Sequence, residues 1–307
     1  MRWEDREQSS NVEDRRYGDI DSGSSTSSGG TGRRKMPSMS TIMLFWPIIR
    51  PLLKTKFGWA IIGIGAFLYF SGFNPLSSLT GGHATTTTNT HVNKKIDDKE
   101  ARFISTVLRD TEIVWSDIFK QYGAKYQMPK MVLFRGSTTS GCGYASAQMG
   151  PFYCPADQKV YIDLGFFDEL ARKYHASGDF AEAYVLAHEV GHHVQNLQGI
   201  LSKVQQLKQH VRTQKGENQL QVKVELQADC YAGIWAHHAE KKFHMLEKGD
   251  IEEALNAASA IGDDTLQKQA QGYVVPDSFT HGSSAQRVEW FKRGFTTGDI
   301  RSCNTGL

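Results

Sequence analysis

Leu186-Ala187-His188-Glu189-Val190-Gly191-His192-His193-Val194 is the stretch from which the fold of this 307-residue chain can be read. It contains H-E-x-x-H. On a helix, side chains four residues apart share a face one turn apart, so the imidazoles of His188 and His192 can grip the same metal ion. Glu189 lies beside them, close enough to take a proton from a water held at that metal. The apolar pattern supports the helix. Leu186, Val190, Val194 and Leu197 repeat at i, i+4, i+8 and i+11, a stripe on the side away from the two histidines. Ala187 and Gly191 are small and leave room for a second backbone. Ser177-Gly178-Asp179 supplies a helix start signal and Gly199 a stop.

Downstream, Lys203 to Asn218 is polar and reads as a solvent-facing helix. Gln219 to Glu240 then reads as a second strong helix, with Val222, Leu226, Cys230 and Ile234 at steps of four. Glu225 and Asp229, also four apart, occupy a neighbouring face. Beside a two-histidine site, Glu225 can complete the ligand set and leave a fourth position for water. Asp229, one turn on, can accept a hydrogen bond from a ligand histidine and fix its ring. His193 is rotated by about 100° from His192 and cannot face the same ion. Together with His210, His237, His238 and His244 it is left out of the site.

Upstream, Glu100 to Tyr122 reads as an amphipathic helix and Met131 to Phe134 as a short strand. Lys159 to Leu164 is the clearest strand, with a short helix from Phe166 to His175 after it. A strand ahead of an H-E-x-x-H helix can offer its edge to an extended peptide; it can equally be plain core sheet.

The first 96 residues differ in character. Residues 1–40 are polar, rich in Ser and Gly, and read as a disordered tail. Residues 41–76 read as a membrane anchor, its span the uncharged run 57–73, about 26 Å if helical. Arg33, Arg34, Lys35, Arg50, Lys54 and Lys56 precede the span, and the next lysine is Lys94. By the positive-inside rule the tail is expected in the cytoplasm and everything after about residue 75 outside. Residues 77–96 are a Thr-rich linker, leaving 97–307 as the folded domain. A formal charge of +2 argues against a dedicated nucleic-acid binder. The four cysteines form no C-x-x-C pair and read as two disulfides of an oxidising compartment. Proximity in sequence pairs Cys142 with Cys154 and leaves Cys230 with Cys303.

H-E-x-x-H at 188–192 followed by E-x-x-x-D at 225–229 resembles the gluzincin arrangement of thermolysin-type peptidases. Gly150-Pro151-Phe152-Tyr153-Cys154-Pro155, Leu186 to Gln195, Glu225 to Gly233 and His281 to Phe295 resemble the YpfJ-like neutral zinc metallopeptidases of bacteria. That resemblance covers roughly residues 97–303, together with Met1-Arg2-Trp3 to Arg15-Arg16 and the anchor. Thr280 to Val288 resembles the T-H-P-x-x-x-x-R-[IV] segment of HtpX and prenyl-protein membrane metallopeptidases, with Gly282 in place of the proline. This implies that His281 and Arg287 lie near the active site. Alternatively, Ser283 or Ser284 caps a helix and Arg287 is merely solvated.

The resulting expectation is an α+β, mainly helical zincin-like domain with a small sheet, behind a single transmembrane helix and a disordered tail. Zn2+ is held by His188, His192 and Glu225, Glu189 is the base, and His281 stabilises the oxyanion. The partners are a peptide or protein substrate and the lipid bilayer, with no nucleic acid. The domain then works outside the inner membrane as an endopeptidase. The other class of reading is a proteolytically silent envelope scaffold with a zinc site.

Overall fold

The structure, a computed structural model, describes residues 1–17 and 94–307. In chain order these form β1 (Val12–Asp14), α1 (Lys94–Gln121), β2 (Lys130–Phe134), β3 (Ser137–Ser140), β4 (Gly143–Ser146), β5 (Phe152–Cys154) and β6 (Lys159–Asp163). Helices α2 (Leu164–Arg172), α3 (Asp179–Leu197), α4 (Ile200–His210), α5 (Gln214–Phe243), α6 (Asp250–Ala260), α7 (Asp263–Gln271) and α8 (Ser284–Thr297) follow. The architecture is mainly helical with small sheets, an α+β arrangement.

Helix α3 is the axis of the core. Leu186, Val190 and Val194 are fully buried, with Phe180 stacked on Trp235 of α5 and Tyr184 edge-on to Phe291 of α8. Two glycine contacts set how closely these helices approach. A Cβ on Gly191 would lie 3.0 Å from the carbonyl oxygen of Ala228, so α3 and α5 cross backbone to backbone there. Ala228 stands between Glu225 and Asp229, so this crossing brings H-E-x-x-H and E-x-x-x-D face to face. On the far side of α5, a Cβ on Gly294 would overlap the Cys230 carbonyl, which lets α8 lie directly on α5.

The four-stranded sheet has the order β1-β2-β6-β5. The pairs β1–β2 and β2–β6 are parallel and β5–β6 is antiparallel. Strand β6 is therefore interior, with both edges paired. The outer strand on the side of α3 is β5, so the Lys159–Leu164 stretch is core sheet and offers no edge.

Residues 1–17 overturn the reading of 1–40 as a disordered tail over this part. They belong to the same compact unit as 94–307. Trp3 is buried, edge-on to Phe103, and its Nε1 donates to Asp179 at 3.1 Å. Ser9 and Asn11 both donate to Glu112 of α1, at 2.6 and 2.7 Å, and Arg16 pairs with Asp97 at 2.9 Å. Val12 is in register with Met131. The polar composition suggested no fold because these groups find their partners on buried carboxylates of α1, far away in sequence.

One consequence is topological. Hydrogen-bonded strands lie on one side of any membrane, so a cytoplasmic residue 1–17 segment and a domain on the opposite face cannot coexist. The rest of the predicted tail, the anchor with its span 57–73, and the linker up to residue 93 lie outside the described residues. Among the described residues, no helix is long and apolar enough to cross a membrane.

Candidate active site

The crossing of α3 and α5 brings three ligand-type atoms together. His188 Nε2 lies 3.2 Å and His192 Nε2 3.4 Å from Glu225 Oε2. One ligand atom from each of the three residues falls within 4.8 Å of the others. Zinc bonds of about 2.0–2.2 Å in tetrahedral array separate ligand atoms by about 3.3–3.6 Å. The two distances to Glu225 match that separation.

The far ring nitrogens agree. His188 Nδ1 donates to Asp229 Oδ1 at 2.8 Å and His192 Nδ1 donates to Gln195 Oε1 at 2.9 Å. A carboxylate and an amide oxygen only accept, so both rings carry a proton on Nδ1, and Nε2 is the atom each ring turns to Glu225 and would offer to a metal.

The electrostatics favour a cation. Burial opposes charge on His188, yet Asp229 and Glu225 outweigh it and push the ring up to about 10. Burial likewise opposes ionisation of Asp229, but Arg287 and His188 hold it at about 2.

Asp229 is fully buried and well partnered. Besides His188 it accepts from Tyr184 OH at 2.6 Å, and from Arg287 Nε at 2.9 Å and Nη2 at 3.0 Å. Arg287 is thus not a solvated cation; it also donates to the Ile261 carbonyl at 3.2 Å. Glu225 Oε1 accepts from Gln221 at 2.8 Å. Glu189, buried beside the cluster, has no hydrogen-bond partner among the described residues and is left free for chemistry.

A cavity of about 800 Å³ opens over this cluster, and Glu189, His281, Phe152 and Tyr153 are in its wall. His281 is half exposed, with its Nδ1 3.2 Å from Asp263 Oδ1. The bond to Asp263 raises its pKa, against burial. Asp263 Oδ2 also accepts from the backbone N–H groups of Thr280, His281 and Gly282 at 2.7, 2.6 and 3.0 Å. Gly282 has φ of +95°, which proline cannot adopt, so this turn differs from the T-H-P turn it resembles in sequence. Ser283 does cap α8, in a capping box with Gln286.

Both disulfides form. Cys142–Cys154 ties the β3–β4 turn to β5, Cys230–Cys303 ties the C-terminal residues to α5, and neither leaves a free thiol.

Sequence reasoning passed over Tyr184, Gln195, Asp263 and His193. His193 is buried and kept neutral by burial. It donates from Nε2 to the Gln127 carbonyl at 2.6 Å and accepts at Nδ1 from Tyr153 OH at 3.1 Å. Since Tyr153 is the middle residue of β5, His193 fastens the edge strand to the histidine helix. Its rotation away from His192 was the available signal: it points to another partner.

A helix-borne H-E-x-x-H pair facing E-x-x-x-D across a backbone-tight crossing, under an open cavity, defines a site of the zinc metallopeptidase class. The chain belongs to the family described as "Putative neutral zinc metallopeptidase", which it matches over residues 1–306. The match includes the N-terminal segment that the fold incorporates. The chain is 48% identical over 305 residues to "Uncharacterized protein YpfJ" of Escherichia coli strain K12, across 99% of this chain and 98% of that protein. It is 47% identical over 190 residues to "Uncharacterized protein Mb2605" of Mycobacterium bovis, across 59% of this chain and 63% of that protein. No solved structure matches it. Family and ligand cluster together make Zn2+ the cofactor.

Proposed function

We propose that this chain is a zinc-dependent endopeptidase acting on peptides or proteins outside the cytoplasmic membrane. The observation that carries the reading is the convergence of His188 Nε2, His192 Nε2 and Glu225 Oε2 beside the uncommitted carboxylate of Glu189, in the wall of an open cavity.

Zinc, when bound, supplies the Lewis acid that acidifies water and polarises the scissile carbonyl. Glu189 takes the proton from the attacking water and hands it to the departing amine. His281, steadied by Asp263, directs an N–H at the oxygen that gains charge. Asp229 and Arg287 keep His188 in its ligand orientation. Strand β5 forms the outer edge of the sheet and contributes to the cavity wall, so an extended peptide can add to it by main-chain hydrogen bonds.

Two disulfides support an oxidising compartment. Residues 1–17 share that side with the domain. In this proposal the uncharged run 57–73 remains the contact with the bilayer, but not as a lone crossing between the two parts.

A silent scaffold with structural zinc is the competing class. Structural zinc normally has four protein ligands; this cluster has three among the described residues. Zinc content and peptide hydrolysis of Glu189→Gln separate the two readings. The variant should keep one zinc and lose roughly 10²–10⁴ in turnover. Undiminished hydrolysis would remove Glu189 as the base, and a zinc-loaded wild type without peptidase activity would favour the scaffold.

A further inference from the structure

His188 and His192 are held by different means. His188 leans on an ionised carboxylate that is itself paired with Arg287, whereas His192 leans on a neutral amide, Gln195, which is fully buried. An amide can turn over and present its NH2 instead of its oxygen, which would require His192 to accept at Nδ1 and carry its proton on Nε2. That tautomer has no lone pair for a metal.

The surroundings of Gln195 forbid the turn. Its Nε2 donates to the Val224 carbonyl at 2.8 Å and to Gln227 Oε1 at 2.9 Å. The carbonyl can only accept, so the NH2 group must lie on that side and the oxygen on the side of His192. Gln227 has the same ambiguity, and it too is resolved. Its Nε2 donates to the carbonyl of Cys303 at 3.0 Å, which leaves Oε1 facing Gln195. Cys303 is fully buried and bonded to Cys230, the residue after Asp229. The orientation is therefore fixed in sequence, from two backbone carbonyls through two buried amides to one ring nitrogen.

We propose that Gln195 is the positioning residue of His192, and that Gln227 and the Cys303 carbonyl lock it in the one orientation that leaves His192 Nε2 bare for zinc. This rests on His192 being a zinc ligand.

The test is zinc affinity of the full-length protein, measured by competition with a chromogenic chelator, for wild type, Gln195→Met, Gln195→Glu and Gln227→Met. Loss of an outer-shell partner of a ligand histidine typically costs 10- to 100-fold in metal affinity. Gln195→Met, which keeps length but offers no acceptor, should weaken zinc by that factor. Gln195→Glu, which restores the acceptor, should recover to within a few-fold of wild type. Gln227→Met should fall between, about tenfold, because the Gln195 amide is freed to turn. Equal affinity in wild type and a folded Gln195→Met would overturn the assignment, as would a Gln195→Glu no better than Gln195→Met.

Nitrogen-15 spectra of histidine-labelled wild type provide a test that needs no variant. They should show a proton on His192 Nδ1, and a bare Nδ1 sinks the proposal even if Gln195→Met does not fold. A wild type that binds no zinc would instead remove the metal reading, leaving the tautomer measurement to decide the role of Gln195.

Discussion

Replacing Arg287 by methionine tests the electrostatic centre of the site. Its guanidinium makes two hydrogen bonds to Asp229, one to Tyr184 and one to the Ile261 carbonyl, with Arg287 2% and Asp229 0% exposed. Methionine fills much of the volume but leaves the Asp229 carboxylate buried without its cation. Breaking a buried pair from one side costs about 3–5 kcal/mol. For a domain of this size each kcal/mol moves Tm by about 2–4 °C, so a fall of roughly 6–20 °C is expected. Thermal unfolding with a chelator present, at pH 7, isolates this from zinc binding. Adding Asp229→Asn should cost less than the sum of the single changes, with a coupling of about 2–3 kcal/mol. Arg287→Lys restores the charge but not the two-pronged geometry and should recover only part. The pH dependence has a definite sign. Asp229 is held at about 2, below its unfolded value, so its stabilisation is present above about pH 4 and lost as pH falls toward 2. The gap between wild type and Arg287→Met should close over that window. A single variant within about 1 kcal/mol of wild type, or strictly additive changes, would refute the reasoning.

Three further outcomes are expected. His281→Ala should lower kcat by about 10²–10³ with zinc content and KM little changed, by steady-state kinetics; loss of zinc would make His281 a ligand instead. The Glu182 carboxyl is pushed up to about 9 by burial and by Glu100 and Asp179, so its contribution is whole below the unfolded value of about 4.3 and is lost as pH rises toward 9. Glu182→Gln should therefore match wild type in Tm near pH 4 and exceed it increasingly toward pH 8, and a pH-independent difference would show that the carboxyl is not held as the protonated acid. Removing Cys230–Cys303, with a separation of 73, should cost about 4 kcal/mol, against about 3 for Cys142–Cys154 with its separation of 12, by denaturant unfolding. The reverse order would show that native contacts rather than loop closure dominate.

Much of the site was legible because its residues lie on two helices whose period can be counted. H-E-x-x-H and E-x-x-x-D each carry their geometry in their spacing, and Gly191 marked where another backbone would approach. Less was legible where function depends on a partner remote in sequence. Nothing local distinguishes Gln195 from a solvated glutamine; its role appears only once Val224 and Gln227 are beside it. His193 looked spare because its partners, Gln127 and Tyr153, come from other elements. Strand β5 is three residues long, too short for a periodic signal, and yet it is the sheet edge at the cavity. The Lys159–Leu164 stretch gave the stronger pattern because, as an interior strand, it buries both faces.

The N-terminal segment shows the same limit with a larger consequence. A polar, charged stretch reads as disordered because it has too little apolar surface to fold alone. Residues 1–17 do not fold alone. They bring two buried apolar side chains, Met1 and Trp3, and a strand to the sheet edge, and they supply cations and donors to carboxylates that α1 has already buried. Glu112, 1% exposed, takes two of its hydrogen bonds from Ser9 and Asn11, and Asp110, 2% exposed, pairs with Arg6. Each uncompensated buried charge costs several kcal/mol, against a net stability of about 5–15 kcal/mol for a whole domain. A domain separated from this segment by a membrane would leave Asp110 without Arg6, leave Glu112 with Arg109 alone, and lose an edge strand as well. The folded domain, with Val12–Asp14 paired to β2, therefore requires both ends of the 18–93 connection on one face of any bilayer it meets. The positive-inside count over Arg33 to Lys56 cannot register that requirement, because it weighs charges beside a span and not the fold of the flanks.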